Sequence, residues 1–168
     1  MNIKSILNRR WVKWPLEILF FVLLYFILRG FMQGDVIAGK APDIQATTIE
    51  QQAFKLHTAS PKPVLVHFWA TWCGICRLEQ DSIEALSKDY NVITIAMQSG
   101  SDEEVKAYLK ENKLSFKVIN DVDGEFVQDY GISGVPASFI VNSENDINFS
   151  EVGFTSGWGL RFRLWLSD

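Results

Sequence analysis

The stretch Val64-Leu65-Val66-His67-Phe68-Trp69-Ala70-Thr71-Trp72-Cys73-Gly74-Ile75-Cys76 contains both cysteines of the 168-residue chain. Leu65 to Trp69 is a short apolar run rich in β-branched and aromatic residues, the pattern of a strand buried on both faces. After Trp72 the period changes. Ile75, Leu78, Ile83, Leu86 and Tyr90 recur at roughly helical spacing among Arg77, Glu79, Gln80, Asp81, Glu84, Lys88 and Asp89. A strand therefore runs into a two-cysteine turn that opens a helix. Cys73 falls at the helix N-terminus, where unpaired N–H groups and the macrodipole favour negative charge and lower a thiol pKa. Cys76 lies one turn on, within disulfide reach and expected to be the more buried. Such a pair can cycle between dithiol and disulfide, the first cysteine attacking and the second resolving.

Three other readings of the pair stay open on the residues alone. A structural disulfide closing so short a loop would restrict the unfolded chain little. A structural zinc site needs four ligands; there is no second cysteine pair, and only His57 and His67 could complete it. Two soft thiolates could also hold copper(I), which would make the chain a copper(I)-binding carrier or sensor. The redox dithiol is the expected use, with no bound metal.

The run Phe-Trp-Ala-Thr-Trp-Cys-Gly-Ile-Cys-Arg-x-Glu (Phe68 to Glu79) resembles the active site of thioredoxin-fold proteins. With Arg77 and Glu79 after the second cysteine, it is similar to the membrane-anchored TlpA-like branch. That branch includes the cytochrome-c-maturation thioredoxins and the suppressor-of-copper-sensitivity D type. The resemblance covers roughly Ala41 to the C-terminus. It implies an α/β thioredoxin fold, a mixed central sheet flanked by helices, and a protein disulfide oxidoreductase. Gly134-Val135-Pro136, followed by a strand at Phe139–Val141, matches a second part of the pattern. X-Pro bonds are rarely cis, but the resemblance implies that Pro136 is cis and lies against the cysteines. It also implies that Val135 pairs through its backbone with substrate, as in strand addition. Trp72, Val135 and Pro136 would then form the apolar platform that receives substrate.

Several positions depart from the family. His67 stands six residues before Cys73, where thioredoxins carry a buried aspartate that takes the proton of the second cysteine. A neutral imidazole can also take a proton, and its unperturbed pKa is near neutrality, so His67 is a candidate for tuning Cys76. A buried, hydrogen-bonded histidine with only a structural role is the alternative. Ile75 replaces the proline common in Cys-Gly-Pro-Cys turns, so a thioredoxin reduction potential does not carry over. Ala137 stands where the cytochrome-maturation group has glutamate, which turns the resemblance away from apocytochrome c and toward the copper-sensitivity type. Asp81 replaces a proline usual in the branch.

The start of the chain differs in kind from the rest. Residues 1–33 carry Lys4, Arg9, Arg10, Lys13 and Arg29 against Glu17, a net charge of +4, while the remainder has a net charge of −8. Ile18 to Leu28 has no charge and lies within a longer apolar stretch from Trp14 to Met32. A membrane-spanning helix needs about 20 mainly apolar residues, and this stretch suffices if Glu17 and Arg29 sit at the interfaces. Trp11 and Trp14 suit the headgroup level, and the basic flank places the N-terminus in the cytoplasm. The expected organisation is a cytoplasmic N-terminus and transmembrane anchor over 1–33, a linker over 34–41, and a thioredoxin-like domain over 42–168 in the periplasm. The alternative is a cleaved signal peptide; Val36-Ile37-Ala38 could serve as its cleavage site but lies far beyond the apolar run. Outside the cytoplasm disulfides form and persist, so a dithiol there needs electrons supplied to it or else acts as an oxidant.

The remaining elements follow from local pattern. A short strand pair is expected around Ala46–Thr48 and Ala53–Lys55, and Ser60-Pro61-Lys62-Pro63 delivers the chain into the central strand. A second buried strand spans Val92–Met97. Ser101 and Glu104 form a capping box for a helix with Val105, Tyr108 and Leu109 inward. Phe116–Ile119 reads as a strand, Asp121-Val122-Asp123-Gly124 as a turn and not a calcium loop, and Glu125–Tyr130 as a short helix. Ile147–Gly153 reads as an edge strand. The tail fits either a strand or a helix with Trp158, Phe162, Trp165 and Leu166 on one face; the resemblance favours a helix covering the sheet. No organic cofactor is expected, since there is no Gly-rich phosphate loop; the redox group would be the Cys73–Cys76 disulfide. The expected partners are a periplasmic protein disulfide, a membrane thiol electron donor of the transmembrane reductase type, and the inner membrane, with no nucleic acid.

Overall fold

The computed structural model describes residues 14–24 and 37–167. The chain divides into two units, Met1–Gly34 and Asp35–Asp168. In the first, residues 14–24 are helical and their large apolar side chains are exposed. No helix among the described residues is long and apolar enough to cross a membrane. The expected spanning helix is described only in part. Its continuation to Met32, with Tyr25 and Arg29, lies outside the described residues, as do the basic flank at residues 4–13 and Val36 of the alternative cleavage site.

The second unit is built on β1 (Gly39–Lys40), β2 (Gln45–Thr47), β3 (Ala53–Lys55), β4 (Val64–Trp69), β5 (Asn91–Met97), β6 (Val118–Asp121), β7 (Ala137–Val141) and β8 (Asp146–Val152). Its helices are α1 (Cys76–Asp89), α2 (Asp102–Glu111), α3 (Glu125–Asp129) and α4 (Gly157–Leu166). Six strands form one mixed sheet in the order β1-β8-β7-β4-β5-β6, and β2 and β3 form a separate antiparallel pair. β4 runs parallel to β5 and antiparallel to β7, and β5 runs parallel to β6.

β4 is buried at every position, as its apolar run requires. Its alternation divides the core in two. Leu65 and Trp69 join Ile83 and Leu86 of α1, Val105 and Leu109 of α2, and Leu160 and Leu164 of α4. Val64, Val66 and Phe68 join Ile95, Phe139, Tyr130 and Val127 of α3 on the other face. There Phe68, Tyr130 and Phe139 meet with ring centroids 4.9–5.8 Å apart. Each such ring contributes about 1.5–3 kcal/mol by leaving water. The capping box at Ser101 and Glu104 forms as expected. Asp121 to Gly124 is a turn: Asp121 Oδ2 accepts from Val127 N, and Gly124 has φ +77°, which suits glycine.

Three elements differ from expectation. The buried face of α1 is Cys76, Glu79, Ile83 and Leu86, while Ile75 and Leu78 are exposed. The helix begins only at Cys76, and Leu78 lies roughly opposite that stripe. Gly39–Lys40, inside the stretch read as a linker, pair with Asp146 and Ile147 and cover the start of the expected edge strand. The tail is a helix, but Leu160 and Leu164 are its buried residues and Trp158, Phe162, Trp165 and Leu166 face solvent. α4 starts very close to α1: a Cβ at Gly157 would lie 2.8 Å from Ser82 Cβ.

Candidate active site

β4 ends at Trp69 in the centre of the sheet, and the turn that follows is held from the β5–α2 connection. Thr71 N donates to Ser99 Oγ at 3.1 Å, Ser99 Oγ donates to Met97 O, and Trp72 Nε1 donates to Gln98 O. These bonds fix the chain just before Cys73. Cys73 and Cys76 form a disulfide with Cα atoms 5.3 Å apart. Cys76 is the first residue of α1, and its N–H donates to Cys73 Sγ at 3.1 Å. The Cys73 sulfur thus occupies the place of a capping acceptor at a 14-residue helix. A thiolate there is stabilised by the helix N–H groups and dipole.

Both cysteines are nearly inaccessible, Cys73 at 6% and Cys76 at 4%, so burial scarcely separates them in the disulfide form. The expected difference in burial is absent because the β7-leading loop covers Cys73: its sulfur lies 3.6 Å from Val135 O. What distinguishes the two sulfurs is the N–H donated to Cys73. The Val135–Pro136 bond is cis, as the resemblance implied. Pro136 is buried and Val135 half-buried. The structure therefore brings Cys73, Cys76, Val135 and Pro136 together, with Trp72 exposed on the preceding turn.

The exit of β8 completes the collar. Gly153 N donates to Pro136 O at 2.8 Å, and Thr155 N donates to the carboxylate of Glu79. Phe154 is held between these two anchors and is exposed, as are Ile75, within the Cys73–Cys76 turn, and Leu78, two residues after it. Glu79 is itself buried, and its Oε2 has no hydrogen-bond partner. Burial pushes its carboxyl up to about 7, against the opposing hydrogen bond from Thr155. The helical period counts Glu79 among the polar positions of the helix, and nothing near it in sequence points to Thr155, 76 residues away.

His67 pairs across the sheet with Ser138, and its Nδ1 and Ser138 Oγ are hydrogen-bonded at 2.9 Å. It lines a small cavity of about 10 Å³ with Cys76, Trp69, Gln80, Ile83 and Tyr108. Such a space has room for about one water. Burial pushes the imidazole down to about 3. Burial thus moves the imidazole away from its unperturbed value near neutrality, and His67 is a neutral hydrogen-bonding group that lines the same cavity as Cys76. His57 is elsewhere, with Nε2 hydrogen-bonded to Ala41 O and Nδ1 3.9 Å from Asp43. Among the described residues no group of three or more His, Cys, Asp and Glu side chains could hold a metal ion, so the four-ligand zinc arrangement is not assembled there.

Comparison with known proteins agrees with this geometry. Residues 37–150 match the model of the AhpC/TSA family. A thioredoxin-like protein of Haemophilus influenzae is 30% identical over 169 residues, covering 100% of this chain and 98% of the relative. Sporulation thiol-disulfide oxidoreductase A of Bacillus subtilis is 25% identical, covering 79% of this chain and 87% of the relative. Among solved structures, a thiol:disulfide interchange protein of the thioredoxin family from Chlorobium tepidum superposes with a TM-score of 0.68 at 23% identity. That match covers 79% of this chain and 98% of the other; it bears on the fold alone, and that fold is the thioredoxin fold.

Proposed function

Because this chain belongs to the AhpC/TSA family and folds as its thioredoxin-like members do, we propose that it is a membrane-anchored reductase of protein disulfides facing the periplasm. It is a thiol–disulfide oxidoreductase of the thioredoxin-like type with a Cys-Gly-Ile-Cys pair. The observation that carries the reading is the Cys73 sulfur, which receives the first N–H of α1 and lies against the Val135 carbonyl.

In the reduced protein the Cys73 thiolate attacks one sulfur of a substrate disulfide and expels the other as thiolate. A mixed disulfide joins Cys73 to the substrate. Cys76 loses its proton, attacks the Cys73 sulfur and expels the second substrate thiolate. Two electrons pass to the substrate, and the Cys73–Cys76 disulfide remains. A membrane dithiol of the transmembrane reductase type would return it to the dithiol form. Val135 offers backbone groups to an extended substrate chain, and Trp72, Ile75 and Phe154 offer apolar contact around the sulfur. His67, neutral in its cavity, would orient the Cys76 thiol by hydrogen bonding, and the Cys76 proton would pass to the departing substrate thiolate.

The location rests on the leader. Its basic residues precede an apolar stretch from Trp14 to Met32, which suits a single span with the N-terminus inside. The likeness of the Arg77 and Glu79 motif to the TlpA-like branch, and Ala137 after Pro136, support the copper-sensitivity type over cytochrome maturation.

The test is a Cys76→Ser variant of the full chain, offered a protein disulfide. A mixed disulfide through Cys73 that dithiothreitol releases supports the reading. Tight stoichiometric copper(I) binding by the wild type with no exchange would replace it with the carrier or sensor. A silent Cys73→Ser variant would leave only an adaptor role.

A further inference from the structure

The C-terminal helix α4 is apolar on two opposite sides. Leu160 and Leu164 are buried against the domain, while Trp158 is 84% exposed and Phe162, Trp165 and Leu166 are each more than half exposed. At about 100° per residue, the exposed four span an arc of roughly 100° opposite the buried pair. Arg161 and Arg163 fall on the two flanks of that arc. Phe162 and Trp165 stack with centroids 6.0 Å apart, so the patch is continuous. A helix apolar on both sides needs a second cover.

We propose that α4 docks on the bilayer surface, with Trp158, Phe162, Trp165 and Leu166 inserted at the headgroup level. This rests on the reading of the leader as a membrane anchor. If the span ends near Met32, residues 33–38 reach at most roughly 20 Å before β1 begins. The domain is then confined beside lipid, and even a modest membrane affinity is amplified by the tether. The composition suits that occupant. Tryptophan, phenylalanine and leucine on one face, bordered by arginine, are the pattern of an interfacial helix. Gly153 to Ser167 contains no Asp or Glu, although the chain beyond residue 33 is acidic overall, so the patch itself adds no like charge against an anionic leaflet. Arg161 is paired with Asp89 and Arg163 with Glu151, both at 2.7 Å, so ring insertion, more than charge, supplies the affinity.

The full chain labelled with 5-fluorotryptophan and placed in lipid nanodiscs tests this. Each fluorine resonance is assigned by a single Trp→Phe variant. A paramagnetic lipid should relax the Trp158 and Trp165 resonances on the order of tenfold more than Trp72, the exposed tryptophan at the active site. The combined Trp158→Ser, Phe162→Ser and Trp165→Ser variant should lose lipid contact by the domain and keep the wild-type rate of exchange with a soluble disulfide. If Trp158 and Trp165 behave as Trp72 while Trp14 is relaxed by lipid, the docking is wrong and the anchor stands. If Trp14 is not relaxed either, both are wrong. Shielding of Trp158 and Trp165 from a water-soluble relaxation agent that grows with protein concentration, without relaxation by lipid, would assign the patch to a second copy and overturn the proposal.

Discussion

The sulfur of Cys73 lies 3.6 Å from the carbonyl oxygen of Val135, 62 residues further along the chain. The sheet makes that meeting possible. β4 and β7 are antiparallel neighbours, with Phe68 opposite Ala137, so the chain leaving β4 toward Cys73 and the chain arriving at β7 through Pro136 share one edge. The reactive sulfur and a backbone ready to pair with an extended chain are therefore parts of one surface.

His67 should act on the resolving step. Its cavity is shared with Cys76, and its imidazole stays neutral down to about pH 3. His67→Asn is expected to slow attack by Cys76 by about tenfold and to leave the first attack by Cys73 unchanged, so that the mixed disulfide persists longer in quench-flow. The wild-type rate profile should show no inflection from His67 between pH 5 and pH 8. An unchanged lifetime and pH profile in the variant would leave His67 a purely structural role beside Ser138.

The parts of this site that the sequence made legible are those with local cause. The β4 run, the presence of a helix after it, and the Ser101 and Glu104 box appear where adjacent residues dictate them, although Ile75 and Leu78, read into the apolar stripe of that helix, are exposed. The likeness to the thioredoxin pattern supplied what local cause could not, the cis bond at Pro136. Properties that depend on distant partners stayed hidden. The shift at His67 comes from burial under α1, and the role of Glu79 comes from Thr155. The orientation of α4 was inverted because both of its sides are apolar, and a helical period does not say which side the domain covers. Gly39–Lys40 are too few residues to read as a strand.

Glu79 should make stability depend on pH. Its carboxyl titrates near 7 in the folded protein, against an ordinary value of 4.5. A raised pKa contributes stability that is fully present below the ordinary value and lost as pH rises through the folded value. Glu79→Gln removes that loss. Relative to wild type, the variant should gain about 3 kcal/mol between pH 4.5 and pH 8 in urea unfolding. His67 acts in the opposite sense, its stabilising effect fading as pH falls below 6.5, so the wild-type profile between these values is the flatter of the two. A difference between variant and wild type that is constant with pH would contradict the buried, protonatable state of Glu79.

The apolar collar should discriminate by substrate size. Trp72 and Phe154 are each 59% exposed beside the disulfide. Trp72→Ser and Phe154→Ser are expected to raise KM for a protein disulfide by about tenfold, the loss of one apolar side-chain contact, and to leave exchange with oxidised glutathione within about twofold of wild type. Equal losses on both substrates would mean that the substitutions disturb the cysteines themselves and not the docking of a polypeptide.

The central claim is that electrons flow outward through Cys73 and Cys76 to substrate disulfides. The measurement that tests it most directly is the redox state of the pair in intact cells, by acid quench and alkylation of the full chain with a mass tag. A mostly reduced pair, which becomes oxidised when the membrane donor is removed, is the predicted result. A pair that is mostly oxidised, with or without that donor, would contradict the reductase and make the protein an oxidant or the holder of an idle disulfide.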